Sequence, residues 1–263
     1  MSTAVFVVSC DKSRDILSHF SIGYNLYWKD NFLPIFVGSN DYQDLEGFEQ
    51  AKFIQAPRSN WKTETLFQLN VIKKCEPNIS NIILILDDFI LNKNVDINRI
   101  KSLIDAVEVN KIKYLRFKRL EEGLFYKVVQ YFSKIDLNEG DSIFKIRNSH
   151  PYYSSLQIAI WDIDYLISVL NSCSDIWDFE LQKPHLSEHF SVVNNLINYK
   201  HIVEKGLWES YAESYCRKYI GFFHKGARGV NSKSLLSQAI SVFKRLKFYF
   251  CGYLFSNKFR LNK

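Results

Sequence analysis

The chain is short of the residues that build extracellular frameworks and flexible linkers. Its 263 residues include five cysteines (Cys10, Cys75, Cys173, Cys216 and Cys251), odd in number, scattered and never spaced as CxxC. That argues against a disulfide framework or a zinc site and fits a reducing cytosol. No linker rich in Pro, Gly or Ser interrupts the sequence, and there is no internal repeat or low-complexity segment, so residues 1–210 read as one domain. No uncharged apolar run reaches the roughly 18 residues of a membrane span. The apolar start, residues 4–8, lacks a basic n-region and runs straight into Asp11, so it does not read as a signal peptide. Helix-turn-helix, zinc, RRM and KH signatures are also missing, which speaks against nucleic-acid binding.

What is present is an ordinary globular composition with two biases. Hydrophobic residues make up 47% and charged residues 24% of the chain, enough to bury a sizeable core. Aromatic residues reach 16%; core packing accounts for most of them, with stacking on sugars or bases as another use. The second bias is in charge. The net value of +6 conceals eleven basic residues after Glu213 with no acid among them, which leaves 23 basic against 28 acidic residues, a balance of −5, in the preceding part. A mildly acidic body therefore carries a strongly basic tail.

The stretch NIILILDDFIL, residues 81–91, organises the rest. Five uninterrupted apolar residues, 82–86, are the signature of a strand buried on both faces of a parallel or mixed sheet. The run stops on Asp87 and Asp88. Ligands of open α/β sheets bind outside the carboxyl ends of the strands, so acids there are placed to hold a divalent cation and a phosphorylated substrate. Turning the chain or capping the next element is the other use of the pair.

The remaining elements alternate around that strand. Residues 4–9 (AVFVVS) predict a buried first strand, and Ser13 an N-cap for a helix over 14–27 with Ile16, Leu17, Phe20 and Tyr24 on one face. Residues 34–37 predict a short second strand, followed by a polar, turn-rich segment to Arg58. Ser59 or Asn60 starts a helix with Trp61, Leu66, Leu69 and Ile72 inward, and Asp96 opens another with Ile97, Ile100, Leu103, Ile104 and Val107 buried. Strands are expected at 113–117, 143–147 and 156–161, and a pair of short ones within 124–135. Asp162 begins a helix to Leu170, Ser174 or Asp175 caps a short helix over 176–182 ended by Pro184, and 197–203 is a last strand-like piece. The rhythm is that of an α/β sheet with right-handed crossovers.

Four segments besides the acidic pair carry chemistry. Ser9 and Asp11 lie at the tip of strand one, where Asp11 also suits a helix cap. Trp61 begins a helix, placed for stacking on a base or for the core. In SDIWDFEL, residues 174–181, a capping role explains Asp178 better than Glu180. In HIVEKGLW, residues 201–208, His201 is either a ligand or a satisfied structural residue, and Lys205 is either functional or solvated.

Together, in this order, these segments resemble the GT-A class of bacterial glycosyltransferases that build O-antigen, capsule or related surface glycans. The resemblance rests on VVSCD, PIFVGSN, the helix after Asn60-Trp61, ILILDDFIL, KYLRF, SLQIAIWDIDYL, IWDFE and HIVEKGLW, and covers residues 3–210. It implies a GT-A-like (Rossmann-like) central sheet, mixed but mostly parallel and flanked by helices. It also implies Mn²⁺ or Mg²⁺ at Asp88, with His201 as a further ligand, the three-residue acidic motif of the family being reduced here to the adjacent pair Asp87-Asp88. The nucleotide-sugar donor, a UDP-sugar in the first instance, would meet Ser9, Asp11, Trp61, Asp87, Arg116 and Lys205. Glu180 occupies the position of the family's catalytic acid and becomes the candidate general base of an inverting transfer to a saccharide or lipid-linked acceptor.

The tail fits the same picture. Residues 234–254 place Leu235, Leu236, Ala239, Ile240, Phe243, Leu246 and Phe250 along one helical face, with Lys244, Arg245 and Lys247 toward the other. A basic amphipathic helix of this kind lies against anionic lipid, so residues 211–263 are expected to form an extension that holds a cytoplasmic enzyme at the inner face of the membrane. A helix packed on the domain with a solvated basic rim is the plainer expectation. Two alternatives for the whole chain stay open: a GT-A-like module that binds glycans without catalysis, and a nucleic-acid-binding protein using the basic tail.

Overall fold

The architecture follows from two strands with unbroken apolar runs, residues 4–8 and 82–86. A computed structural model describes residues 2–120, 134–137, 141–148, 152–181 and 187–231. In it the first strand β1 (Ser2–Val8) and the strand β4 (Ile79–Leu86) pair in parallel along their whole length, Val5 opposite Ile83 and Val7 opposite Ile85. Side chains alternate across a sheet. Val5, Val7, Ile83 and Ile85 therefore join one core cluster, while Ala4, Phe6, Ile82 and Leu84 join a second on the opposite face. Burial on both sides is why neither strand carries a polar alternation.

Around this pair lie β2 (Ile35–Ser39), β3 (Ala51–Gln55), β5 (Phe89–Leu91), β6 (Tyr114–Arg116), β7 (Ile135–Asp136), β8 (Ser142–Lys145), β9 (Ala159–Asp162) and β10 (His189–Val192). Among the described residues nine strands form the main sheet, in the order β3-β2-β1-β4-β9-β6-β10-β8-β7. Only β9 and β8 run against the others, so the sheet is mixed and mostly parallel, as expected. The run at 82–86 is interior, between β1 and β9.

Helices cover both faces. On the first, α1 (Arg14–Tyr27) and α3 (Ile97–Val109) bury Ile16, Leu17, Phe20 and Tyr24, and Ile100, Leu103, Ile104 and Val107. On the second lie α2 (Trp61–Cys75), α4 (Ile163–Ser172) and the one-and-a-half-turn α5 (Ile176–Leu181). The starts are capped: the side chains of Asn60, Asp96 and Asp162 accept backbone N–H groups of the first turn, each worth about 1 kcal/mol. Ser13 precedes α1 without a side-chain cap bond, a short 3-10 turn at Asp11–Ser13 leading in instead.

Three expectations differ in detail. The polar segment before Arg58 contains β3, an edge strand whose residues are half-buried or exposed, which hides it from a hydrophobicity pattern. Helix α2 turns Thr65 and Gln68 inward beside Leu69 and Ile72, leaving Trp61 and Leu66 half-buried. The piece at 197–203 is two short strands, β11 (Tyr199–His201) and β12 (Val203–Glu204).

The chain beyond 203 continues into this body. Strands β12, β13 (Leu207–Glu209) and β14 (Val230–Asn231) make a small sheet, and α6 (Ala212–Ile220) buries Ala212, Tyr215, Cys216 and Ile220 in the first core cluster. The expected strands within 124–135 lie mostly, and Pro184 and the helix at 234–254 wholly, outside the described residues. Among the described residues every cysteine is free, and no helix is long and apolar enough to cross a membrane.

Candidate active site

The carboxyl ends of β1, β2 and β4 open onto one cleft of about 580 Å³. Its floor is Asp87 and Asp88, which form the two-residue turn between β4 and β5. This turn is held from both sides. Asp87 N–H donates to the Val8 carbonyl at 3.3 Å, and the Asp88 carbonyl accepts from Ile202 N–H at 3.1 Å. Strand β5 leaves the main sheet and pairs antiparallel with β11, setting Phe89 opposite His201. That pairing delivers His201 to Asp88: Nε2 lies 2.7 Å from Asp88 Oδ2.

The electrostatics of the pair are unusual. Asp87 is almost wholly buried, and burial, reinforced by the charge of Asp88, pushes its carboxyl up to about 8, with smaller opposing contributions from Ser9, Arg228 and Ser13. Burial disfavours the charged form of His201, but its hydrogen bond to Asp88 and the charges of Asp88, Glu204 and Glu209 outweigh that, and its pKa is raised. Among the described residues, nothing donates a hydrogen bond to Asp87 Oδ2 or Asp88 Oδ1, and both oxygens are shut off from solvent. A buried carboxylate oxygen without a donor is costly. Two such oxygens at a strand tip fit a hard divalent cation whose remaining ligands come from water and substrate oxygens. Among the described residues, however, no three His, Cys, Asp or Glu side chains gather as a complete metal cage.

The walls come from other elements. Ser9 and Asp11 line one side. Asp11 staples the β1 and β2 tips together by accepting the N–H groups of Asn40 (2.9 Å) and Asp41 (3.0 Å), and Arg58 reaches it at 3.3 Å. Burial works against its charged form, but those two amides and Arg58 hold its pKa below the usual value. Trp61, at the first turn of α2, lines the cleft and meets Phe179 edge-on at 5.9 Å between ring centres. Asn40, Arg58 and Gln68 also line the cleft and were not singled out by the sequence.

The structure thus brings Ser9, Asp11, Trp61, Asp87 and Asp88 to one cleft and His201 against Asp88. Lys205, Arg116 and Glu180 do not line that cleft. Lys205 is exposed at the β12–β13 turn. Arg116 is buried on β6, donating to the Tyr114 hydroxyl and the Tyr152 carbonyl, both at 3.2 Å. Glu180 is half-buried on α5 and accepts Leu156 N–H at 3.2 Å. Burial raises its pKa against the opposing effects of that bond, Arg116 and Ser155. Ile176, one turn earlier on α5, lines the cleft, and residues four apart share a helix face.

No family model and no curated protein matches the chain. Solved structures do. A cytidylyltransferase from Leptospira borgpetersenii serovar Hardjo-bovis is 12% identical with a TM-score of 0.45, over 95% of this chain and 97% of that one. TarS of S. aureus is 12% identical at 0.49, over 100% of this chain and 46% of that one. Core-mannan synthase A from Aspergillus fumigatus, in a Mn/GDP form, is 9% identical at 0.37, over 70% and 67%.

Proposed function

We propose that this protein is a nucleotide-sugar-dependent glycosyltransferase of GT-A type. It moves a sugar to a saccharide or lipid-linked acceptor in bacterial surface glycan synthesis, at the inner face of the cytoplasmic membrane. The observation that carries the reading is the acidic turn: two carboxylates at the tip of an interior strand, each with a buried oxygen lacking a donor among the described residues, on the floor of a cleft large enough for a nucleotide. Asp88, with His201 beside it, would hold Mn²⁺ or Mg²⁺, and Asp87 would support it from beneath. A cation bound there supplies charge neutralisation for the departing diphosphate.

The chain's own side chains divide the remaining work. Ser9, Asp11 and Trp61 present hydroxyl, carboxylate and ring to the base and ribose. Glu180 takes the acceptor proton; its raised pKa makes it a better base, because burial disfavours the charge it carries at rest. Arg116 lies near enough for its charge to temper that rise.

The test is a thermal-shift and turnover screen of UDP-, GDP-, CMP- and dTDP-sugars with and without Mn²⁺. One donor should stabilise the protein in a metal-dependent way and be turned over. Asp88→Asn should abolish turnover and leave the fold intact, since a turn residue at a strand tip contributes little packing. Donor binding without any turnover would point to a glycan-assembly module instead, and no shift with any donor would reject the site.

A further inference from the structure

Arg58 and Lys12 line the cleft, Arg228 and Lys205 lie outside its lining, and the four differ in how they are engaged. Arg58 is engaged by Asp41 and Asp11, and Arg228 by Asp15. Lys12 and Lys205, both exposed, form no ion pair among the described residues. Lys12 lines the cleft. Lys205 sits in the turn between β12 and β13 with φ at +51°, followed by Gly206 at +79°. Hairpin turns with two left-handed residues usually take Asn, Asp or Gly, so a lysine there is kept at a conformational cost.

Arg228 connects the two. It lies in the segment 221–231 that follows α6, and that segment is firmly attached. His224 N–H donates to the buried His19 Nε2 at 3.0 Å, Trp208 Nε1–H to the Lys225 carbonyl at 2.7 Å, and Trp208 N–H to the Gly229 carbonyl at 2.9 Å. Gly226, with φ at +58°, lies beside Asp15, where a Cβ would make van der Waals contact with its Oδ2 at 3.4 Å. From this base the guanidinium reaches three elements. Nε and Nη2 bracket the Asp15 carboxylate at 2.7 and 3.0 Å, Nη2 also donates to the Lys12 carbonyl, and Nη1 donates to the Gly206 carbonyl at 3.1 Å. One planar fork therefore ties the turn carrying Lys205 to the turn carrying Lys12, with the two carbonyls within roughly 8 Å of each other. The side chain is only 17% exposed.

We propose that Arg228 is a positioning residue that fixes the Lys205 turn against the Lys12 turn, so that both ammonium groups face the diphosphate of the donor at the cleft mouth. The inference rests on the proposed donor site. Arg228 acts through the two lysines, because its own fork is occupied by Asp15, Lys12 and Gly206. A lysine in its place keeps the charge but cannot span acceptors on three elements in one plane.

Calorimetric titration of the full-length protein with Mn²⁺ and UDP, GDP, CDP or dTDP, each beside its nucleoside, tests this. The variants are Arg228→Lys, the pair Lys12→Met with Lys205→Met, and all three together. Arg228→Lys should weaken the diphosphate that binds the wild type by about tenfold, shift its nucleoside by less than about twofold, and add nothing in the double-lysine background. Equal losses for diphosphate and nucleoside, or the same Arg228→Lys loss in both backgrounds, would mean a general structural role and overturn the proposal. Should Arg228→Lys not fold, Asp15→Asn loosens the same fork and is read identically. A wild type that binds none of the four diphosphates would reject the donor site itself, and this inference with it.

Discussion

Glu180 and Asp178 are two residues apart on one short helix and are put to different uses. Asp178 accepts the Ser174 N–H at 2.8 Å and the Ser174 hydroxyl at 2.9 Å, while Asp175 caps the amides of Trp177 and Asp178. It is a structural acid, as its place in the first turn suggested. Glu180→Gln should therefore lower turnover by about 100-fold or more with donor affinity nearly unchanged. Asp178→Asn should leave turnover within a few-fold, so equal losses in steady-state kinetics would remove Glu180 from the base role. His189 illustrates a different use of a titratable group. It is fully buried, its Nδ1–H donates to the Tyr153 carbonyl at 2.9 Å, and Nε2 accepts from the Tyr165 hydroxyl at 2.8 Å. Burial, aided by Arg116 and opposed by the Tyr153 bond, pushes its pKa down to about 4. The unfolded chain takes up this proton near pH 6.5 and the folded one does not. The stability tied to neutral His189 is thus full above about pH 6.5 and is lost as pH falls toward 4, on the order of 2 kcal/mol. Urea midpoints at pH 7 and 4.5 should differ less in His189→Gln than in the wild type; identical differences would show that another group sets the slope.

At the scale of elements, Gly38 marks where three of them meet. A Cβ there would lie 2.7 Å from Gln68 Oε1 and 2.9 Å from the Ser9 carbonyl, so β2, the β1 tip and α2 are as close as backbone allows. Gly38→Ala should destabilise the fold by about 1–3 kcal/mol and weaken donor binding, because the displaced groups are cleft wall; an unchanged denaturation midpoint would refute this. This region also shows what the sequence could and could not reveal. Strands β1 and β4 were legible because burial on both faces leaves an unbroken apolar run, and α2 and α3 because Asn60 and Asp96 are caps with a local signature. Ser9, Asp11, Asp87 and Asp88 followed from being strand tips. Strand β3 was not legible, since an edge strand needs no apolar pattern. The break between β11 and β12 depends on two different pairing partners, β5 and β13. Asn40, Arg58 and Gln68 acquire a role only when loops far apart in the chain converge. Arg228 is further removed still, its partner Asp15 lying 213 positions away.

At the scale of the whole molecule, charge is divided along the chain more sharply than composition suggests. Seven basic residues and no acid lie beyond Asn231, leaving 27 basic and 28 acidic residues before it. Every described residue of the site and of the segment that Arg228 anchors lies before position 232, so the proposed donor chemistry should be separable from the basic tail by truncation at that point. Each lysine or arginine near an anionic bilayer is worth about 1 kcal/mol at low salt and loses its effect within a screening length. Removing 232–263 should therefore abolish flotation with vesicles containing anionic phosphatidylglycerol, while leaving binding of the donor diphosphate within about twofold of the full chain. Raising salt to about 0.5 M should release the full chain from the same vesicles, and vesicles of neutral lipid should hold neither form. A truncated protein that floats as well as the full chain would place the membrane contact elsewhere or nowhere. Loss of diphosphate binding on truncation would instead favour a tail packed on the domain, with its basic rim turned to solvent.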